Sequence, residues 1–159
     1  MLNSNEVNYV ETKQRQKLKK LISPTNYLVF FAKDDYSRTD GFIISTDCEE
    51  RYTVETKWYG DKDNRRYSDK FKNYMIDYSK LQSLTDNAIK NESKPLLMCF
   101  FSNELVVWDI SKCNWQSTGK WRWVNKEGLN YGKQKELAFM AYLNLSDAIC
   151  RNKNITPFN

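Results

Sequence analysis

The sequence predicts an α/β fold, with a central mixed β-sheet flanked by helices in the order α-β-β-β-α-β. Three observations predict it. A helical stripe of apolar residues opens the chain, strand-length apolar or alternating runs follow, and a second helix-period segment precedes another strand pair. A length of 159 residues suits a single domain spanning 1–159, with its core at about 6–110 and a Trp-rich extension of the sheet over 111–159. Apolar residues make up 40% and charged residues 28%, a balance that excludes a disordered chain.

Residues 6–22 read as the first helix, because Val7, Val10, Leu18, Leu21 and Ile22 fall in one stripe at 100° per residue. Glu11 and Gln14 lie inside that stripe, where a plain packing helix carries apolar residues. Ser23-Pro24-Thr25-Asn26 ends the helix, since proline cannot continue the hydrogen-bond ladder. Tyr27 to Ala32 is a continuous apolar run and reads as a buried strand. After a polar loop with Asp34 and Asp35, Asp40 to Ser45 and Arg51 to Tyr59 form an antiparallel hairpin through Asp47-Cys48-Glu49-Glu50.

A charged loop over 60–70 contains Arg65 and Arg66. A long helix is then expected from about Tyr67 to Asn91, with Phe71, Met75, Tyr78, Gln82, Thr85 and Ile89 along one face. Leu96–Phe101 and Glu104–Ile110 read as a strand pair. Beyond them come Trp115, Trp121 and Trp123, a turn near Gly128–Gly132, a strand at about Glu136–Leu145 and a short terminal segment.

Composition removes several chemistries. The chain has no histidine, so Ser-His-Asp and Cys-His catalysis and a histidine general base are impossible within it. The four cysteines, Cys48, Cys99, Cys113 and Cys150, form no CxxC, which argues against a structural zinc site or a disulfide framework. They read as reduced thiols in a cytoplasmic protein. The apolar runs stop well short of the roughly 18 residues a membrane helix needs, and no secretory signal pattern is seen, so no membrane association is expected. Lys plus Arg exceed Asp plus Glu by 25 to 20, a mild excess that favours polyanionic partners. Catalysis, if present, must run on carboxylates, lysine or metal ions.

Val54-Glu55-Thr56-Lys57, with Asp40 on the partner strand, is the sharpest feature. Alternate residues of a strand share a face, so Glu55 and Lys57 point one way and Tyr52, Val54, Thr56 and Trp58 the other. A hairpin turning near Cys48 places Asp40 opposite position 56 or 57, about 4.5–8 Å from the acid–base pair. Two carboxylates suit Mg²⁺ or Mn²⁺, which keep several waters and accept phosphate oxygens. An ammonium can hydrogen-bond an attacking water and offset charge building on a phosphate. The competing expectation is a cross-strand salt-bridged solvent face. Asp34 and Asp35 are alternatives to Asp40, which is preferred because Gly41 and the strand begin immediately after it.

Asp40, the 14 residues after it, and Glu55-Thr56-Lys57 within an α-β-β-β-α-β order resemble the PD-(D/E)XK, or restriction-endonuclease-like, nucleases. The resemblance covers about residues 6–110. It implies that Asp40 and Glu55 bind metal and that Lys57 acts on the water and the transition state. It also makes Glu11 a candidate third metal ligand and Gln82 a candidate polar residue on the helix after the lysine strand. Thr39 stands where the family name has proline, and Asp86 stands where one branch has the tyrosine of a Gln-xxx-Tyr motif, so no subfamily follows.

Arg65, Arg66 and Gln82 are candidate nucleic-acid contacts. Lys120-Trp121-Arg122-Trp123 pairs possible stacking rings with cations, but alternation puts both indoles on one face, for which a core or sheet-packing role is expected. The sequence therefore points to a magnesium-dependent nuclease acting on nucleic acid, with DNA the expected substrate, assisted by a homodimer or a partner subunit. The alternatives are a catalytically inactive binding module on the same scaffold, and an interaction protein whose Trp-rich C-terminal third makes the contact surface.

Overall fold

Helix α1 (Ser4–Ile22) opens the computed structural model, which describes residues 4–32, 39–58, 73–101, 104–126 and 134–152, with side chains from residue 12 onward. Leu18 and Ile22 carry its described buried face. The helix stops as expected: Ser23 N donates to Lys19 O and Thr25 N to Ile22 O, one turn before the chain enters the sheet. Lys19 and Lys20 in the last turn complement the negative end of the helix dipole.

Strands β1 (Tyr27–Phe31), β2 (Gly41–Ser45) and β3 (Arg51–Trp58) run antiparallel in succession. β1 is the sheet's edge and alternates instead of being wholly buried. Leu28 and Phe30 are each 52% exposed, whereas Tyr27, Val29 and Phe31 pack toward α1. An edge strand is covered by a helix on one side only, so its apolar run is not the mark of two-sided burial. The β2–β3 turn lies where expected. Asp47 accepts from Ser45 Oγ and Glu49 N, and Cys48 takes a left-handed φ of 62°.

The expected long helix over 67–91 is two elements. Residues 59–72 lie outside the described residues; then strand β4 (Asn73–Asp77) precedes helix α2 (Tyr78–Lys90). Asn73 to Asp77 alternates exposed and buried residues, with Tyr74 and Ile76 inward, which is a strand's period. Asp77 then caps the helix by accepting from Ser79 N at 2.8 Å. The buried stripe is consequently Leu81, Leu84 and Ala88, while Met75, Gln82 and Ile89 are exposed.

From α2 the chain enters β5 (Lys94–Phe100), parallel to β3, and returns antiparallel as β6 (Leu105–Asp109). Among the described residues, the C-terminal third extends this sheet only through β9 (Cys150–Asn152), which pairs with β6. The rest of the C-terminal strands correct the expected extension. β7 (Lys120–Asn125) and β8 (Lys135–Asn144) join β4 in a second sheet of order β4-β8-β7. The first sheet has the order β1-β2-β3-β5-β6-β9 and is mixed.

Two apolar cores lie on the two faces of the first sheet. Val54, Leu96, Met98 and Phe100 meet α1 on one face; Leu97, Cys99 and Trp108 meet α2 and the second sheet on the other. Burying each such large side chain contributes about 1.5–3 kcal/mol. Glu104 is 1% exposed and its Oε1 accepts from Arg151 Nε at 2.9 Å, while Oε2 has no hydrogen-bond partner among the described residues. Arg151→Ala is thus expected to lower stability by about 1–3 kcal/mol, because it strands a buried carboxylate whose partner was partly solvated. Thermal melting beside Arg151→Lys checks this, and equal melting of all three proteins would contradict it. Among the described residues, no helix is long and apolar enough to cross a membrane.

Candidate active site

Glu55 and Lys57 stand two residues apart on β3, and the pleat turns both toward the face that α2 covers. Lys57 Nζ donates to Glu55 Oε1 at 2.9 Å, with the two side chains 26% and 14% exposed. This is a half-buried ion pair and not the loose surface pair of a solvated strand. Across the hairpin, the pairing Gly41↔Val54 continues to put Asp40 beside Glu55, one to two residues from the register expected from sequence. The hairpin is centred between Asp47 and Cys48, which accounts for the shift. Gly41 is required here: a Cβ would press into the Phe30 carbonyl oxygen of β1.

Asp40 is anchored by neighbours that sequence reasoning assigned to the apolar face. Its Oδ2 accepts from Thr56 N and from Thr56 Oγ1, each at 2.6 Å. Trp58 Nε1 donates to Thr56 Oγ1 at 3.1 Å, so the direction is set. An indole can only donate and an ionised carboxylate can only accept. The hydroxyl therefore passes one hydrogen bond from Trp58 to Asp40. Trp58 is itself held flat on Phe100, with ring centroids 3.8 Å apart.

The electrostatics are those of crowded carboxylates beside a cation. Burial, then the charge of Asp40, hold the Glu55 carboxyl above its usual range; the charge of Lys57, its hydrogen bond and the charge of Lys80 act the other way. For Lys57, burial disfavours the ammonium, but Glu55 and Asp40 outweigh it and raise its pKa. Lys80 was not anticipated. It enters because α2 starts at Tyr78, which the Asp77-Tyr78-Ser79 capping pattern signalled in the sequence. Beneath the pair, Cys99 is fully buried and its thiol is pushed up to about 12 by burial, so it remains a protonated packing group.

Of the other sequence candidates, the one that is described, Gln82, does not join this cluster. Gln82 is exposed on α2 and its Nε2 donates to Asp86 Oδ1 at 2.9 Å, a helix-surface pair and not a mid-stripe residue. Glu11 lies on α1, but its side chain is outside the described residues, as are Asp34, Asp35, Arg65 and Arg66. Among the described residues no group of three or more acids, cysteines or histidines gathers to hold a metal ion. Asp40 and Glu55 remain as two hard-oxygen donors, a number that suits an ion keeping several of its waters.

Asp40→Asn isolates the charge. An amide oxygen can still accept both Thr56 donors, so the geometry is retained while the negative charge is lost. The Glu55 titration is expected to move down toward its usual 4.5. A ¹³C titration of the side-chain carboxyls reads it, and an unmoved Glu55 would contradict the proximity of the two acids.

No family model matches the chain, and a search of curated proteins finds no significant match.

Proposed function

We propose that this protein is a magnesium-dependent nuclease of the restriction-endonuclease-like class that hydrolyses phosphodiester bonds, with DNA as substrate, in the cytoplasm. The observation that carries the reading is the half-buried Glu55–Lys57 ion pair on β3, with the charge of Asp40 from the start of β2 acting on both of its members. The antiparallel β1-β2-β3 and the parallel β5 reached through α2 follow the order that the resemblance implies and add support, with β4 of the second sheet as an additional strand ahead of α2. Four free cysteines agree with a reducing compartment.

Mg²⁺ or Mn²⁺ fits the two carboxylates, since a bound cation offsets the burial and the Asp40 repulsion that hold Glu55 up. Asp40 and Glu55 would hold it, and when bound it would supply an acidified water and charge stabilisation at the phosphate. Lys57 is kept as an ammonium, so it acts as a donor and a charge, orienting the attacking water and stabilising the phosphate oxygens; it does not serve as a base. Thr56 and Trp58 hold Asp40 in place.

A second reading, a binding module on this scaffold, draws on the two hydrogen bonds that occupy Asp40 Oδ2, which alone account for its placement at the end of the β2 pairing. The experiment that separates the two is cleavage of supercoiled plasmid, linear duplex and branched DNA in Mg²⁺, Mn²⁺ and EDTA, beside the metal-induced shift in Tm. A nuclease cuts in metal alone and is stabilised by it. A module neither cuts nor gains stability from the ion.

A further inference from the structure

β7 and β8 form an arm whose outer part carries large apolar side chains in the open. Trp121 is 65% exposed, Trp123 69% and Leu137 51%, and the pairs Trp121↔Phe139 and Trp123↔Leu137 put all four residues on one face. The packing role expected for these indoles is not what the structure shows. The arm reaches past the core that covers Tyr74, Ala141 and Leu143 on the same sheet face. A file of rings leads back along it. Trp121 meets Phe139 at 5.3 Å between centroids, Phe139 meets Tyr78 at 4.9 Å, and Tyr78 meets Trp115 at 4.9 Å. Tyr78 is the first residue of α2, two before the Lys80 whose charge acts on Glu55. The open end of the file is thus tied to the element that borders the candidate active site.

We propose that this arm binds a single-stranded nucleic acid, stacking bases on Trp121 and Trp123 and leading the strand toward the Asp40–Glu55–Lys57 site. Charge selects this occupant. Within 120–126 and 134–140 stand Lys120, Arg122, Lys126 and Lys135 against the single acid Glu136. An interface with another protein favours the opposite, since lysine is depleted from interface cores. β7 is the edge of its sheet, so its cations lie one strand-thickness from the indoles and open to solvent on the reverse side. There Lys120 and Arg122, with Asn73, Tyr142 and Asn144, line a cavity of about 540 Å³ of mixed polar and apolar character, in which two cations face the one acid Asp147, a trough for phosphates whose bases lie over the edge on the rings. Arg122 Nε donates to Tyr142 Oη at 3.0 Å, which steadies the guanidinium along that trough. Residues two apart on a strand are separated by about 6.8 Å. That is twice the ~3.4 Å rise of stacked bases, enough for a base against or between the indoles.

The direction toward the site rests on the nuclease reading; the stacking does not, and it is tested without metal. The assay is fluorescence anisotropy in EDTA with a labelled twelve-residue oligothymidylate and an abasic oligonucleotide of equal length and charge. Wild type is expected to bind the thymidylate about 30-fold more tightly than the abasic strand. Trp121→Ala/Trp123→Ala is expected to bind both alike, with an unchanged far-ultraviolet circular dichroism spectrum. Trp123→Ala alone loses part of the preference and Trp123→Phe keeps most of it, so the result does not hang on one variant's folding. Equal binding of the two strands by wild type, or a preference that survives in the double variant, overturns the proposal. Indole-dependent self-association in sedimentation without base preference also overturns it, making the face an interface between copies. Metal-dependent cutting without base preference overturns the stacking arm alone, whereas base preference without cutting supports the arm and removes the nuclease reading.

Discussion

Lys57→Ala is expected to lower metal-dependent DNA cleavage by about 10²–10³-fold while leaving Mg²⁺ affinity within a few-fold of wild type. The separation follows from the geometry. Lys57 touches Glu55 through one 2.9 Å hydrogen bond, and it is the carboxylates that would hold the ion. Removing the ammonium takes away charge stabilisation at the phosphate but leaves both oxygen donors. Because Lys57 is raised above its usual 10.5, it stays charged throughout the range in which DNA cleavage is assayed. The linkage sign follows from that direction. Lys57's contribution to stability is fully present below the unfolded value of 10.5 and is lost as pH rises through the higher folded value, whereas the raised Glu55 favours the fold as pH falls through its own range. In the variant Glu55 loses an attraction and is pushed further up, at a stability cost of about 1–3 kcal/mol for a half-buried pair. Single-turnover cleavage at saturating Mg²⁺, with a metal titration of Tm on the same samples, reads both quantities. A rate within threefold of wild type would remove Lys57 from the chemistry.

The largest expected effect on stability is at Trp108, where Trp108→Ala should cost about 3–5 kcal/mol. Trp108 is fully buried on β6, its ring lies 5.5 Å from that of Tyr74 on β4, and its Nε1 donates to Asn144 O at the end of β8 at 2.9 Å. One side chain therefore joins the two sheets through packing and through a hydrogen bond. Trp108→Phe keeps most of the ring volume but leaves the Asn144 carbonyl without that donor, for about 1–3 kcal/mol. Urea unfolding measures both, with the m-value expected to hold if the two sheets unfold together. A loss below about 1 kcal/mol in Trp108→Ala would mean that the sheets do not depend on this contact.

What the sequence disclosed and what it hid divide along physical lines. α1, the β2–β3 hairpin and the β5–β6 pair are local objects, signalled by periodicity, a proline and a short turn, and all appear close to the expected positions. The acid–base pair on β3 was readable because a strand's period of two needs no tertiary information. Residues 73–90 misled because Met75, Tyr78, Gln82, Thr85 and Ile89 happen to keep a helical spacing. The strand there depends on a partner, β8, more than sixty residues downstream. Asp77-Tyr78-Ser79 was the local signal that places the helix start correctly, and with it Lys80. Trp121 and Trp123 misled for another reason. Alternation says which face a side chain takes, but not whether anything covers that face. Trp58 does pack on the apolar face expected for it and for Thr56, but nothing in a linear pattern shows a carboxylate from the next strand reaching the Thr56 hydroxyl.

The central claim is that Asp40, Glu55 and Lys57 form a metal-dependent phosphodiesterase site. Its most direct measurement is nicking of supercoiled plasmid in Mg²⁺ and in EDTA by wild type and Asp40→Asn prepared identically. The account predicts cutting by wild type in Mg²⁺ alone, and its loss in Asp40→Asn at an unchanged metal-free Tm, since the amide keeps the Thr56 hydrogen bonds. Cutting that persists in Asp40→Asn, or a wild type that neither cuts nor gains stability from Mg²⁺, would contradict it.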